Sequence, residues 1–306
     1  NEQRDWRIYA DFAQALIKIA RPLYAGDELG LDLRNTVYAL DASTIDLCLS
    51  VFPWALFRST KSAVKLHTLL DLRGNIPSFI HISDGKLHDV NALDMIIPEA
   101  GSFYVMDRAY LDFERLFSLN NAGAFFVIRS KKNILFKRRY SSPVEKTNGI
   151  RCDQTIRLTG LNTKNKYPKP LRRVKYHDKE TNKTLNFLTN NEIIPAQTVA
   201  DLYRYRWKVE LFFKWIKQHL HIRTFFGTSE NALKTQIWIA ISVYVLIAII
   251  KKQLNIKAEL YTILQVLSLT LFEKIPLEQL LGNHQYMVHT RDNAIQLNLF
   301  DNLTGH

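Results

Sequence analysis

Apolar residues fall at helical spacing over residues 5–24, at Trp6, Tyr9, Phe12, Leu16 and Ile19, and the run closes in a turn around Gly26. The chain is therefore predicted to open with a helix. The period then changes. Residues 36–40 form a short β-rich run ending at Asp41, residues 65–72 a second strand closed by Arg73-Gly74-Asn75, and residues 77–82 a third. The three read as an antiparallel meander. A helical pattern over 88–97, a strand over 103–106 ending at Asp107, a helix over 113–121 and a strand over 125–129 follow. This alternation predicts a mixed-sheet α/β fold. Strand-like alternation returns over 154–158, 171–176 and 184–189, which predicts a β-rich insertion. Helical patterns resume at 198 and run through 250, and two more helices are expected between 258 and 281. The longest apolar stretch, 237–250, is interrupted only by Ser242. It is shorter than the roughly 20 residues a membrane-spanning helix requires, so a buried core helix and no membrane partner are expected.

Charge adds a second layer. With 47% hydrophobic residues, 11 Gly and 9 Pro, the chain is globular rather than disordered or fibrous. Its net charge of +12, from 41 Lys and Arg against 29 Asp and Glu, is unevenly spread. Between Arg129 and Lys183, 17 Lys and Arg face only Glu145, Asp153, Asp178 and Glu180, which leaves 24 basic and 25 acidic residues elsewhere. A positive block of this kind suits a polyanion, most commonly nucleic acid, although charge alone leaves a membrane surface and an acidic protein open. Cys48 and Cys152 are too few for a disulfide framework or a zinc cluster, which points to a reducing interior. No signal-peptide pattern is present, and a first residue of Asn rather than Met predicts a chain that begins inside a longer protein.

Candidate chemistry starts from the two strands expected to stop at Asp41 and Asp107. In α/β sheets function collects outside the carboxyl ends of parallel strands, where two such carboxylates can converge. Close carboxylates repel unless a cation lies between them, and hard oxygen ligands select Mg²⁺ or Mn²⁺. Taken singly, an Asp after a strand equally starts a turn or caps a helix. A third element strengthens the pair. Residues 202–217 read as one amphipathic helix on which Tyr203, Arg206, Glu210 and Lys217 share a stripe about 60° wide. That stripe borders a buried face made by Val209, Phe212, Phe213, Ile216 and Leu220. Such a stripe supplies a carboxylate for metal between cations for phosphate oxygens. Ordinary pairing of Arg206 with Glu210 on a solvated face is the alternative.

Tyr203, Arg206, Glu210 and Lys217 reproduce Y-x2-R-x3-E-x6-K, and the runs YALDAST at Asp41 and VMDRAYLDF at Asp107 accompany them. In these motifs, in their order and in the spacing between them, the chain resembles the insertion-sequence-four family of DDE transposases over about residues 36–250. The resemblance implies a ribonuclease-H-like mixed sheet with flanking helices and a β-rich insertion before the last catalytic helix. It divides the chain into a helical N-terminal remnant (1–35), a core (36–130 and 191–252) split by a basic β-rich insertion (131–190), and a C-terminal helical region (253–306). Asp41, Asp107 and Glu210 would be catalytic and hold two Mg²⁺ or Mn²⁺ ions for in-line attack on a DNA phosphodiester. Tyr203, Arg206 and Lys217 would grip the DNA backbone beside the scissile phosphate, and Lys137, Arg138 and Arg139 in the basic block are further candidate DNA contacts. The implied partners are element-end and target DNA, bound by a homodimer in a synaptic complex, in a bacterial cytoplasm at the nucleoid. An inactive DNA-binding derivative and a metal-dependent nuclease of the same fold are the alternatives.

The resemblance is incomplete in two places. Some family members support a flipped base with a Trp in the insertion, and residues 129–183 contain none, leaving Phe136, Tyr140, Tyr167 or Tyr176 to stack. Only some 35 residues precede the first strand, so the family's separate N-terminal DNA-binding segment is expected to be truncated. Among lesser candidates, His88 is read as a helix-start residue with a supporting role open by the same resemblance. His219 and His221 are read as surface, and 227–230 as a loop that caps the next helix. Asp46, Asp71, Asp84, Asp94 and Asp112 are read as surface or capping residues.

Overall fold

The computed structural model describes residues 4–131, 133–219 and 225–270 and the positions 275, 279 and 280. Helix α1 (Trp6–Tyr24) is started by Asp5, whose carboxylate accepts from the Arg7 N–H at 2.9 Å. Strands β1 (Val37–Leu47), β2 (Leu56–Arg58), β3 (Lys61–Asp71) and β4 (Ile76–Asp84) follow, then β5 (Phe103–Met106), α2 (Phe113–Asn121) and β6 (Phe125–Arg129). The expected meander is present, since β1 pairs antiparallel with β3 and β3 with β4. β5, α2 and β6 coincide with the predicted ranges and form a parallel βαβ unit, with β5 also parallel to β1.

Three local expectations are corrected. β1 does not stop at Asp41 but continues through Leu47, because β3 begins at Lys61 and keeps pairing with it as far as Leu47↔Ser62. Residues 89–95 form a 3-10 turn rather than a full helix. Asp71 caps the β3–β4 turn as one of the two expected roles, accepting from the Arg73 N–H at 3.0 Å, but it is buried rather than on the surface and stands 3.6 Å from the Arg21 guanidinium. At the β3–β4 turn Gly74 has φ +72°, and a Cβ there would lie 2.2 Å from the ring of Tyr24, so only glycine fits. The turn thus seats Tyr24, whose hydroxyl donates to the Ala248 carbonyl at 2.7 Å.

The β-rich stretch continues the same sheet. β7 (Phe136–Ser142), which the pattern did not predict, pairs with β8 (Ile150–Leu158), β8 with β9 (Leu171–Asp178), β9 with β10 (Lys183–Thr189), and β10 antiparallel with β6. Among the described residues one ten-stranded sheet results, in the order β2-β3-β1-β5-β6-β10-β9-β8-β7 with β4 beside β3. The chain returns through α3 (Ala196–Tyr205), α4 (Trp207–His219), α5 (Glu230–Gln253) and α6 (Leu260–Thr270). One face of the sheet packs under α1, α3, α4 and α5 through Leu16, Ile17, Leu202, Phe212, Ile216, Ile241 and Val245. The other packs under α2 and the 89–95 turn through Leu93, Leu116 and Leu119. The mixed sheet with helices on both faces is a ribonuclease-H-like arrangement. By length and composition α5 could cross a membrane, but 67% of its most apolar window is buried within the fold, as a core helix requires.

The predicted helix over 202–217 is two helices meeting at Arg206. That residue keeps helical dihedrals (φ −52°, ψ −30°), but its N–H bonds the Tyr203 carbonyl and its own carbonyl accepts from Val209, both three residues away. The turn is tightened to 3-10 bonding there, a change that apolar periodicity does not register.

Buried on β3, His67 sets its Nε2 2.9 Å from the Ser83 hydroxyl, while its Nδ1 has no partner. Burial pushes its pKa down from 6.5 to about 4, with His81 and Lys65 adding to the effect and Asp89 opposing it. In the unfolded chain His67 takes up its proton near 6.5, whereas in the folded chain it resists until about 4. The unfolded state therefore binds more protons in that window, and stability should fall by roughly 3 kcal/mol as pH drops through it. Urea titrations of the wild type and His67→Gln between pH 7 and 4 measure the difference. Parallel pH profiles would remove His67 as the responsible group.

Candidate active site

Register places the first two carboxylates. The parallel pairing of β1 with β5 ends at Leu40↔Met106, so the next residue of each strand, Asp41 and Asp107, emerges side by side. Both continue the alternation of Val37, Ala39, Phe103 and Val105 and so face the layer of α3 and α4. Asp41 is fixed by the Ala42 N–H, which donates to its Oδ1 at 2.9 Å. Asp107 caps the 3-10 turn 108–110 by accepting from the Ala109 N–H at 3.1 Å, so the capping role and the strand-end position coexist.

The α3–α4 stripe meets them. Arg206 donates through Nη1 to Asp41 Oδ2 at 2.5 Å and through Nη2 to Glu210 Oε1 at 2.6 Å. Tyr203 donates its hydroxyl to Asp107 Oδ2 at 3.2 Å, and the Arg206 guanidinium lies 5.5 Å from the Tyr203 ring. Lys217, one helix end further, donates to the Thr44 carbonyl on β1 at 2.7 Å. Asp41, Asp107 and Glu210, separated by 66 and 103 positions in sequence, thus meet through Arg206 and Tyr203 at one end of the parallel strands.

Electrostatics at this point are unbalanced. The Asp41 side chain is 20% exposed, Arg206 14% and Glu210 34%. Burial pushes the Asp41 carboxyl up to about 6; Arg206 and the Ala42 N–H pull it back, and the nearby Glu210 and Asp107 charges add to the rise. Burial disfavours charge on Arg206, yet Asp41, Tyr203 and Glu210 together raise its pKa above the usual value. Arg206 spans two of the three carboxylates, Tyr203 holds the third, and Arg129 acts on Tyr203, so the acidic side chains there offer carboxylate oxygens. That donor set fits a hard divalent cation. Among the described residues no three acidic, His or Cys side chains stand in ligand geometry, and Arg206 lies bonded between Asp41 and Glu210.

The sequence matches the transposase DDE domain family over residues 33–246. The chain belongs to the DDE-domain transposases. It is 33% identical over 227 residues to the putative transposase y4zB of Sinorhizobium fredii, a match covering 72% of this chain and 63% of that protein. It is 32% identical over 223 residues to a probable transposase for insertion sequence element IS5377 of Geobacillus stearothermophilus, covering 71% and 58%. A putative transposase for insertion sequence element IS4SA of Synechocystis is 27% identical over 193 residues, covering 61% and 53%. The chain thus spans between about half and two thirds of the length of these relatives.

Within this DDE transposase domain one residue escaped the sequence reading. Tyr110, in the run after Asp107, is 1% exposed, and its hydroxyl has no partner. Burial pushes its pKa well above the usual value, and the Asp41, Asp89 and Asp107 charges push it further. The signal lay in its position three residues after Asp107, but alternation alone marks such a Tyr as core. Of the remaining calls, Lys137, Arg138 and Arg139 lie far from the carboxylates in sheet order, exposed on the edge strand β7. Among the stacking candidates Tyr140 is 62% exposed on that strand, and Phe136 is half-buried under the Arg173 guanidinium. Tyr167 and Tyr176 are core residues and present no free ring. His88 is exposed at the start of the 3-10 turn without a side-chain capping bond, while Asp89 pairs with Lys65 at 3.0 Å. Ser229 caps α5 as expected. Asp84 and Asp112 cap local turns, and Asp94 pairs with Arg115. The His219 side chain, Leu220 and His221 lie outside the described residues.

Proposed function

We propose that this chain is the catalytic region of an insertion-sequence transposase that cuts DNA at element ends and joins the freed 3′-hydroxyl to target DNA. One observation carries the reading: Arg206 joins Asp41 of β1 to Glu210 of α4, and Tyr203, whose ring lies 5.5 Å from that guanidinium, holds Asp107 at the end of β5, in a domain of the DDE transposase family. The assignment to the insertion-sequence-four branch is supported by Tyr203, Arg206 and Glu210, all engaged at that point. Lys217, the fourth residue of the motif, is anchored to β1.

In this reading Asp41, Asp107 and Glu210 hold two divalent ions, Mg²⁺ or Mn²⁺. When bound, the ions lower the pKa of the attacking water or hydroxyl and stabilise the departing 3′-oxygen. The protein's own part is positional. Tyr203 orients Asp107, Arg206 spans Asp41 and Glu210, and Lys217 is anchored to β1 beside them, its pKa lowered by burial against the opposing pull of Asp46. The basic block grips the DNA backbone away from the reacting phosphate, and a homodimer brings two element ends together.

The test uses a precut element end with a free 3′-hydroxyl, target DNA and Mg²⁺. Joining supports the transposase reading. Cutting without joining supports a nuclease of the same fold, and neither reaction, with DNA binding intact, an inactive binding derivative. A second test concerns the edge strand. Replacing Lys137, Arg138 and Arg139 together by Ala should flatten the slope of log K against log salt by up to about 3, if each neutralises one phosphate. An unchanged slope with an intact circular-dichroism spectrum would show that β7 is only a solvated edge that discourages strand pairing.

A further inference from the structure

Arg206 holds the two carboxylate oxygens, Asp41 Oδ2 and Glu210 Oε1, that a bridging cation would also need. Its fork spans residues 165 and four positions away, and its Nε–H is buried without a partner, so the guanidinium is committed to these two contacts. A carboxylate oxygen held at 2.5 or 2.6 Å by a guanidinium cannot at the same time hold a divalent ion on that side.

We propose that Arg206 is a built-in competitor of the catalytic cation: it neutralises Asp41 and Glu210 until a divalent ion displaces it, and is then free to turn to phosphate. The proposal rests on the metal-dependent reading above. It assigns Arg206 a function before DNA arrives, keeping the half-buried carboxylates of Asp41 and Glu210 from repelling one another and raising the concentration of metal needed to load the site.

The experiment is calorimetric titration of the whole chain with Mg²⁺ alone, without DNA. Arg206→Met removes the competitor, while Arg206→Lys keeps the charge but is a single-point donor that does not fork across both carboxylates. Both variants should bind Mg²⁺ more tightly than the wild type, by about ten- to a hundredfold for Arg206→Met and by a smaller factor for Arg206→Lys. In the wild type the ¹⁵N–¹H resonance of Arg206 Nε should shift as Mg²⁺ saturates the site, a measurement that stands even where Arg206→Met fails to fold. If Arg206→Lys binds as the wild type does and only Arg206→Met binds more tightly, general repulsion by a nearby charge is responsible and the proposal is wrong. Equal affinity in all three proteins, or a motionless Arg206 resonance, overturns it while leaving the metal site in place. If no variant binds Mg²⁺, both the proposal and the metal-dependent reading fall.

Discussion

Asp41→Ala, Asp107→Ala and Glu210→Ala should each lower Mg²⁺-dependent cleavage by about a thousandfold or more, while affinity for DNA stays near that of the wild type. The two halves of this result have different causes. Chemistry at a phosphodiester needs positive charge held at the attacking and leaving oxygens, and in the proposed reading the three carboxylates hold the ions that supply it. In the proposed reading affinity comes from the exposed basic residues between 129 and 183, and the carboxylates themselves repel phosphate. Asp107→Asn separates folding from chemistry most cleanly, because Asn can still cap the 108–110 turn through its side-chain oxygen while losing the charge. Single-turnover cleavage and fluorescence anisotropy on the same preparations check both halves. Full Mg²⁺-dependent cleavage in any of the three would remove that residue from the metal site.

Legibility followed burial. β5, α2 and β6 were predicted to the residue because each is either buried on both faces or bounded by strong local chemistry, as where Asp112 caps α2 through the Glu114 and Arg115 N–H groups. The second half of β1 was missed because Ser43, Thr44 and Asp46 are polar and only Ile45 of residues 42–46 is buried, so the segment is held in the sheet by β3, whose start lies some 15 residues ahead. β7 was missed for the opposite reason to a buried strand: an exposed edge shows no alternation, and Lys137, Arg138 and Arg139 registered only as charge in the basic block. At the site the stripe of Tyr203, Arg206 and Glu210 was visible from helical geometry, and the Arg206 to Glu210 pairing was foreseen as the ordinary i, i+4 alternative. Neither reading could see that the same guanidinium also takes Asp41, because that contact depends on register between β1 and β5 and on the tightened turn at Arg206. The basic block was likewise visible only as a sum. Its members have different fates, since Arg173 is tied to Gln154 and Asn186, whereas the β7 cations face solvent.

Arg172, counted in the sequence as part of the positive block, should prove to be a stability residue instead. Its guanidinium is buried and holds Asp153, itself buried on the neighbouring strand, through two bonds of 2.8 and 2.7 Å. Its Nη1 reaches the Ile194 carbonyl at 2.6 Å, two residues before α3 begins, and the Asn191 carbonyl at 3.4 Å. The residue therefore ties β9 to β8 and both to the start of the helix pair that carries Tyr203, Arg206 and Glu210. Arg172→Ala leaves the Asp153 carboxylate buried without a counter-charge and should destabilise the domain by about 3–5 kcal/mol. The double variant Asp153→Leu with Arg172→Met removes both charges and should recover most of that loss, because the desolvation of the pair disappears with it. The carbonyl of Ile194 stays unpaired in both variants, so recovery should fall short of the wild type by about 1–3 kcal/mol. Urea unfolding of the three proteins gives these differences directly. A loss below about 1 kcal/mol in Arg172→Ala would mean that the buried pair contributes no more than a surface one, and Arg172 would rejoin the candidates for DNA contact.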